Sequence, residues 1–360
     1  MNETVPAAPP SANGHIICPI CLSRLTSWDE LPRFRWDSAA TRYVELKDPV
    51  NAGPEQRAQA RIGASVRCPD PISSAGEHYL PANYGRYGQP VVLGFIGATS
   101  SGKTHLVSAM VGAVERGDLA VFGASSRPVD QALHHSFLEE KVRPLLNEAR
   151  VLAPTQEKVV SFADALLIGP DGGRERPVAL FDVAGGELGR GQTSKHGAKN
   201  FLAVADGLIF VVDPTQFSSG RIGEETFNTV LDLLRESGRL PYVSAAIVLN
   251  KADLLRFEDP ITQWLRTDMV EIDPELTLRE SADVFAYLDD CDAQAWTRPY
   301  RHCGKATLHV ASATGGPSHE AGATGVYPRG VTPRRVLLPL VALLAMTGVL
   351  TGEQAQRVGI

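Results

Sequence analysis

The chain has 360 residues, 43% hydrophobic and 21% charged, a composition with ample apolar material for a globular core. Its formal net charge of −6 offers no basic footprint of the kind nucleic acid requires. The apolar stretch Val336–Leu350 is short for a bilayer span and is interrupted by Pro339, so a buried terminal helix is expected there rather than a transmembrane segment.

Residues 1–14 are polar and rich in Pro and Ala, and read as a disordered leader. No basic region precedes an apolar one there, so a cytoplasmic chain is expected. Residues 15–88 form a first unit with several prolines and little helical periodicity. It holds three of the five cysteines, and an odd count without a secretion signal points away from disulfides. Cys18-Pro19-Ile20-Cys21 is a C-x-x-C knuckle, followed by Cys68 and His78. Zinc takes four ligands in a tetrahedron, which makes Cys18, Cys21, Cys68 and His78 the candidate set for a structural zinc ion in a zinc-ribbon-like module. Asp70 is an alternative fourth ligand, because Pro71 stands where a second C-x-x-C would end. A ribbon that has lost its metal, or a redox C-x-x-C pair, are the competing readings.

From Pro90 the texture changes. Short apolar runs at Val91–Ile96, Val178–Phe181, Gly207–Val212, Ala245–Leu249 and Ala306–Val310 are bounded by polar residues or Gly and Pro. Such runs suit strands buried on both faces. Helical patterns separate them at Lys103–Glu115, Val129–Glu148, Lys195–Ala205 and Glu224–Glu236. Strands alternating with helices predict an α/β fold with a mostly parallel sheet between helical layers, over about residues 90–356.

Gly97-Ala98-Thr99-Ser100-Ser101-Gly102-Lys103-Thr104 is G-x-x-x-x-G-K-T, with a predicted strand before it and a predicted helix after it. The glycines let the loop wrap so that its N–H groups face phosphate oxygens, and the helix adds its positive end. Lys103 is expected at the β- and γ-phosphates and Thr104 on magnesium. Gly97, Ser100, Ser101, Gly102, Lys103, Thr104 and His105 are the candidate nucleotide-binding residues of this loop. Downstream, Asp182-Val183-Ala184-Gly185 ends an apolar strand with D-x-x-G spacing. Asp182 is expected to hold magnesium through a water, and the Gly185 N–H to sense the γ-phosphate. Thr155 is the candidate threonine of the loop between, ahead of a strand Val159–Ile168 predicted to pair with Val178–Phe181 as a hairpin.

Asn250-Lys251-Ala252-Asp253 follows another apolar run and reads N-K-x-D. The Asp253 carboxylate matches the N1–H and N2 amino donors of guanine, whereas adenine leaves it unpaired. The stem of Lys251 is expected to cover the base and Asn250 to brace the loop. Ser312-Ala313-Thr314 follows the last run, with the Ala313 N–H expected near the guanine O6.

These four elements, in this order, resemble the Ras-like (TRAFAC) class of P-loop GTPases. Leu80-Pro81-x-x-Tyr84-Gly85-Arg86-Tyr87-Gly88 and Gly94-Phe95-Ile96-Gly97-Ala98-Thr99, with the cysteines before them, resemble the bacterial, largely actinobacterial, double-GTPase proteins. The resemblance implies a P-loop NTPase three-layer fold, GTP/GDP with Mg2+, and a protein partner that includes a second GTPase. It departs at Gly186, where the class often carries a water-positioning glutamine. Glu187, Gln192 or Lys195 is a substitute, a partner is another source, and a hydrolysis-deficient scaffold is the alternative. A P-loop ATPase is the remaining rival. Arg174 and Arg190 are candidate charges for the transition state. Lys103, Thr155, Gly185 and Glu187 are thus the candidate catalytic residues. Residues 256–305 exceed what a minimal domain needs and read as an insertion, with a helix at Leu276–Cys291 and a partner surface. Cys291, His302 and Cys303 are too poorly spaced for a metal site.

Overall fold

The computed structural model describes residues 16–25, 31–47, 53, 63–69, 71, 76–153, 160–183, 192–217, 222–321 and 324–360. Near the N-terminus, β1 (Ile16–Ile17) and β2 (Arg24–Leu25) pair antiparallel on either side of the Cys18–Cys21 turn. Four short strands, β3 (Arg33–Asp37), β4 (Arg42–Glu45), β5 (Ser65–Arg67) and β6 (Tyr79–Pro81), form an antiparallel sheet in the order β4-β3-β5-β6.

The larger sheet has seven strands: β7 (Val91–Ile96), β8 (Ala124–Pro128), β9 (Val160–Pro170), β10 (Arg176–Val183), β11 (Gly207–Val212), β12 (Ser244–Leu249) and β13 (Lys305–Val310). Their order is β13-β12-β11-β7-β10-β9-β8, parallel from β13 to β10. The predicted hairpin is present: β9 runs antiparallel to β10, and β8 adds antiparallel to β9. The helices are α1 (Lys103–Glu115), α2 (Gln131–Phe137), α3 (Arg143–Leu146), α4 (Gln192–Val204), α5 (Ile222–Glu236), α6 (Ile261–Arg266), α7 (Pro274–Asp290), α8 (Arg298–His302), α9 (Leu338–Met346) and α10 (Glu353–Gln356). A small hairpin, β14 (His319–Ala321) and β15 (Thr324–Val326), lies between β13 and α9 in the chain.

Successive side chains of a strand go to opposite faces, and β7 divides accordingly. Val91, Leu93 and Phe95 join one core with α1 and α9, while Val92 and Ile96 join the other with α4, α5 and α7. Two helical layers on a mostly parallel sheet are the three-layer α/β arrangement expected from the alternating pattern. Every residue of α9 is buried, and Pro339 sits in its first turn, where no intrahelical N–H is needed. Among the described residues no helix is long and apolar enough to cross a membrane.

A third core joins the N-terminal strands to the edge of the large sheet. Cys18, Ile20, Cys21, Leu25, Val66, Cys68, Leu80 and Tyr84 pack with Val129, Ala165 and Leu167. Asp130 fastens the junction: one oxygen caps α2 at Ala132 and Leu133, and the other accepts the Tyr79 N–H at 2.6 Å. The stretch 129–148, expected as one helix, is α2 and α3 joined by a wider π turn at Leu138–Val142.

Candidate functional site

β7 ends at Ile96, and the loop to α1 closes around two tight contacts. Gly102 has φ +87°, and a Cβ there would lie 2.6 Å from Asn250 Nδ2. A Cβ on Gly97 would lie 2.7 Å from Ser101 Oγ and 2.8 Å from the Val211 carbonyl oxygen. The Ser101 hydroxyl therefore turns toward the strand, while Ser100 adopts φ +66° and stays exposed. Lys103 is buried, and its Nζ donates to the carbonyls of Gly97 at 2.8 Å and Ala98 at 3.0 Å. Burial pushes its pKa down, against the pull of Asp182. The Thr104 hydroxyl donates to Asp182 Oδ2 at 3.0 Å, so the start of α1 and the end of β10 bring two hard oxygen donors together. Ser101 Oγ and Asn250 Oδ1 are buried and have no hydrogen-bond partner among the described residues.

His105 is engaged away from the loop. Burial, with help from Lys251, lowers its pKa to about 4, which keeps the ring neutral. Its Nε2 accepts the Leu152 N–H at 3.2 Å, and its ring meets Tyr327 edge-on at 6.2 Å. Only its backbone N–H, in the first turn of α1, faces the loop's task.

The loop after β12 is tied to the loop after β7. Asn250 Nδ2 donates to the Ser101 carbonyl at 3.0 Å, and Lys251 Nζ to the Ser100 carbonyl at 2.9 Å. Lys251 has φ +53°, a left-handed position, and its Nζ also lies 2.6 Å from Asp213 Oδ2. Asp253 is buried, with Oδ1 accepting the Ser312 hydroxyl at 2.5 Å. Ser312 Oγ in turn accepts the Gly315 N–H at 2.9 Å, and the Ala252 N–H donates to the Ala311 carbonyl at 3.2 Å. Ala313 is buried beside them.

Asp213 escaped the sequence reading because Asp-Pro after a strand also suits an ordinary turn; indeed its Oδ1 caps Thr215. Thr155, Gly185, Gly186, Glu187 and Arg190 lie outside the described residues, as does Asp70. Gln192 and Lys195 fall in α4. Arg174 is not at this site: it precedes β10, at the opposite end from Asp182, and donates to the Arg86 carbonyl at 3.2 Å.

The second cluster lies in the third core. Cys18, Cys21, Cys68 and His78 are all buried, with their ligand atoms within 4.8 Å of one another; among the described residues no other such group occurs. The turn is built by the Leu22 N–H donating to the Cys18 carbonyl, and the Cys68 N–H donates to the His78 carbonyl at 2.9 Å. His78 Nδ1 lies 2.9 Å from the Gly76 carbonyl, so the tautomer with Nδ1–H leaves the Nε2 lone pair toward Cys18 Sγ at 3.3 Å. Burial pushes the Cys18 thiol up, while hydrogen bonds with Cys18 and Cys68 pull Cys21 down. Three sulfurs and one imidazole nitrogen in a closed, buried set fit a tetrahedral zinc ion.

No curated protein matches the sequence. The fold is similar to that of the small COPII coat GTPase SAR1 of Encephalitozoon cuniculi in complex with GDP, at 16% identity and TM-score 0.31, over 64% of this chain and 73% of that one. It is also similar to Sup35 complexed with GDP, at 16% identity and TM-score 0.30, over 64% of this chain and 38% of that one. The family model described as Double-GTPase 2 matches residues 91–295, from the first strand of the large sheet through the loop after α7, and this chain belongs to that family.

Proposed function

We propose that this chain is a guanine-nucleotide-binding switch that takes GTP and GDP with magnesium and hydrolyses GTP. The observation that carries the reading is the stitching of two loops. Asn250 and Lys251 donate to the carbonyls of Ser101 and Ser100, and Asp253 stands beside them with its carboxylate held by Ser312. One ligand spanning both loops is what that supports, with phosphates on the Gly97–His105 backbone and a base at Asp253. Lys103 balances phosphate charge, Lys251 covers the base, Asn250 braces the loop, and the Ala313 N–H serves the O6. Thr104, Asp182 and Thr155 would hold magnesium, which would supply positive charge against the phosphates. Thr155 and Gly185 respond to the γ-phosphate and release when it leaves. Glu187 is the nearest substitute for a water-positioning group.

Residues 15–88 are in this reading a zinc-ribbon-like module whose ion on Cys18, Cys21, Cys68 and His78 is structural. Residues 90–356 are the GTPase domain, with 256–305 an inserted partner surface. Because Gly186 carries no side chain, a protein partner, for example a second GTPase, completes the hydrolytic site in this reading. Titration of the purified chain with GDP, GTP and ATP in the presence of Mg2+ tests the ligand class. Saturable binding of both guanine nucleotides and none of ATP is expected; equal binding of ATP contradicts the reading. Gly186 also favours a second reading, a scaffold that binds nucleotide without turning it over. Multiple-turnover phosphate release from GTP, alone and with the partner, separates the two.

A further inference from the structure

The long segment between the two base loops supplies one half, and the stretch after the second loop the other half, of a buried ion pair that neither the phosphate loop nor the base motif requires. Glu280, in the middle of α7, is completely buried. Its Oε1 lies 2.6 Å from Arg335 Nη2 and accepts the Val310 N–H at 2.8 Å, and its Oε2 lies 3.3 Å from His309 Nδ1. Arg335 adds a bond from Nε to the Val310 carbonyl at 3.3 Å, another from Nη1 to the Thr267 carbonyl, and a position over the Trp264 ring. It does so from φ +56°, a conformation that an arginine adopts only when its surroundings enforce it.

The pair stands directly behind the base loop. Val310 is the last residue of β13, and Ser312 follows two positions on. Arg334, the neighbour of Arg335, exchanges two backbone hydrogen bonds with Ser312, at 3.0 and 2.8 Å. The Thr332 N–H extends this pairing to the Thr314 carbonyl at 3.0 Å. Ser312 is the residue whose hydroxyl holds Asp253. A continuous path of contacts thus runs from α7 through Arg335, Arg334 and Ser312 to the Asp253 carboxylate.

We infer that the Glu280–Arg335 pair is the positioning element for base recognition: it fixes the strand that sets Ser312, and through Ser312 the orientation of Asp253. The inference rests on the reading of Asp253 as the guanine acceptor. Its consequence is a defect confined to the base end of the ligand. Moving Ser312 by a fraction of an ångström misaligns Asp253 with the N1–H and N2 amino donors, while Lys103 and the phosphate loop keep their geometry.

The test compares GDP with inosine diphosphate, which lacks the N2 amino group, on wild type, Glu280→Gln and Arg335→Lys. Arg335→Lys keeps the buried charge but loses the fork that reaches Glu280, Val310 and Thr267 together, so it guards against a Glu280→Gln that fails to fold. Affinities are read on the monodisperse, folded fraction, alongside thermal melting. Wild type is expected to prefer GDP, and the variants to lose most of that preference and release GDP faster, by roughly 10- to 100-fold. A lowered melting temperature with the GDP preference intact overturns the inference and makes the pair merely structural. A wild type that binds both nucleotides equally overturns the reading of Asp253 and this inference with it.

Discussion

Buried charge in this molecule comes in two kinds. Lys103, Asp213 and Asp253 line the candidate ligand site, and they are held by carbonyls, a lysine and a serine rather than sealed into hydrophobic packing. His134 is different. Its Nδ1 lies 2.7 Å from Asp164 Oδ2 and its Nε2 3.1 Å from Glu115 Oε2, so it ties α2 to β9 and to the end of α1. Burial disfavours the charged ring, but the two carboxylates outweigh it and raise its pKa above the ordinary 6.5. A folded-state value raised in this way stabilises fully below about pH 6.5, and the stabilisation is lost as pH rises through the raised value. His134→Ala is expected to destabilise by about 1.5–3 kcal/mol at mildly acidic pH, because the charged ring's hydrogen bonds to Asp164 and Glu115 are lost. The deficit relative to wild type should shrink as pH rises. Denaturant unfolding across that range checks this, and a deficit independent of pH contradicts it.

At the scale of elements, the third core makes the cysteine cluster part of the framework. Cys18, Cys21 and Cys68 pack in one core with Val129, Ala165 and Leu167 at the β8–β9 edge. Chelation at neutral pH is therefore expected to lower the melting temperature by at least about 5 °C, at ~2–4 °C per kcal/mol for a domain of this size. Re-addition of zinc should restore it, and Cys21→Ser should abolish the difference; a melting curve indifferent to chelator in metal-replete protein contradicts the assignment.

The elements legible in the sequence are those whose burial is uniform. Val91–Ile96, Gly207–Val212 and Ser244–Leu249 are buried throughout, and an apolar run bounded by turns announces them. β3 and β4 alternate only loosely between half-buried and exposed, β8 is Ala-Ser-Ser-Arg-Pro, and β14–β15 has three residues a strand. Tertiary pairing, not pattern, makes these strands. The same holds for the site. The phosphate and base motifs are contiguous and announce themselves, and the four metal-ligand candidates meet in space. Asp213, Glu280 and Arg335 matter only through partners distant in sequence, which no local spacing encodes.

In the whole molecule, the candidate site gathers the loops after β7, β12 and β13 and Asp182 near the end of β10, at the carboxyl ends of strands within the parallel part of the sheet. That is where open α/β sheets place ligands. The two helical layers pack on both faces of the sheet beneath these loops, and residues 154–159 and 184–191 lie outside the described residues. The proposed function makes Asp253 the reader of guanine. It is tested most directly by measuring GDP and xanthosine diphosphate affinities, with Mg2+, for wild type and Asp253→Asn. Xanthine keeps N1–H but replaces the amino donor with a carbonyl acceptor, which suits an amide rather than a carboxylate. Wild type is expected to prefer GDP and the variant to reverse the preference, each by roughly a hundredfold or more. A variant that binds GDP as wild type does would contradict it.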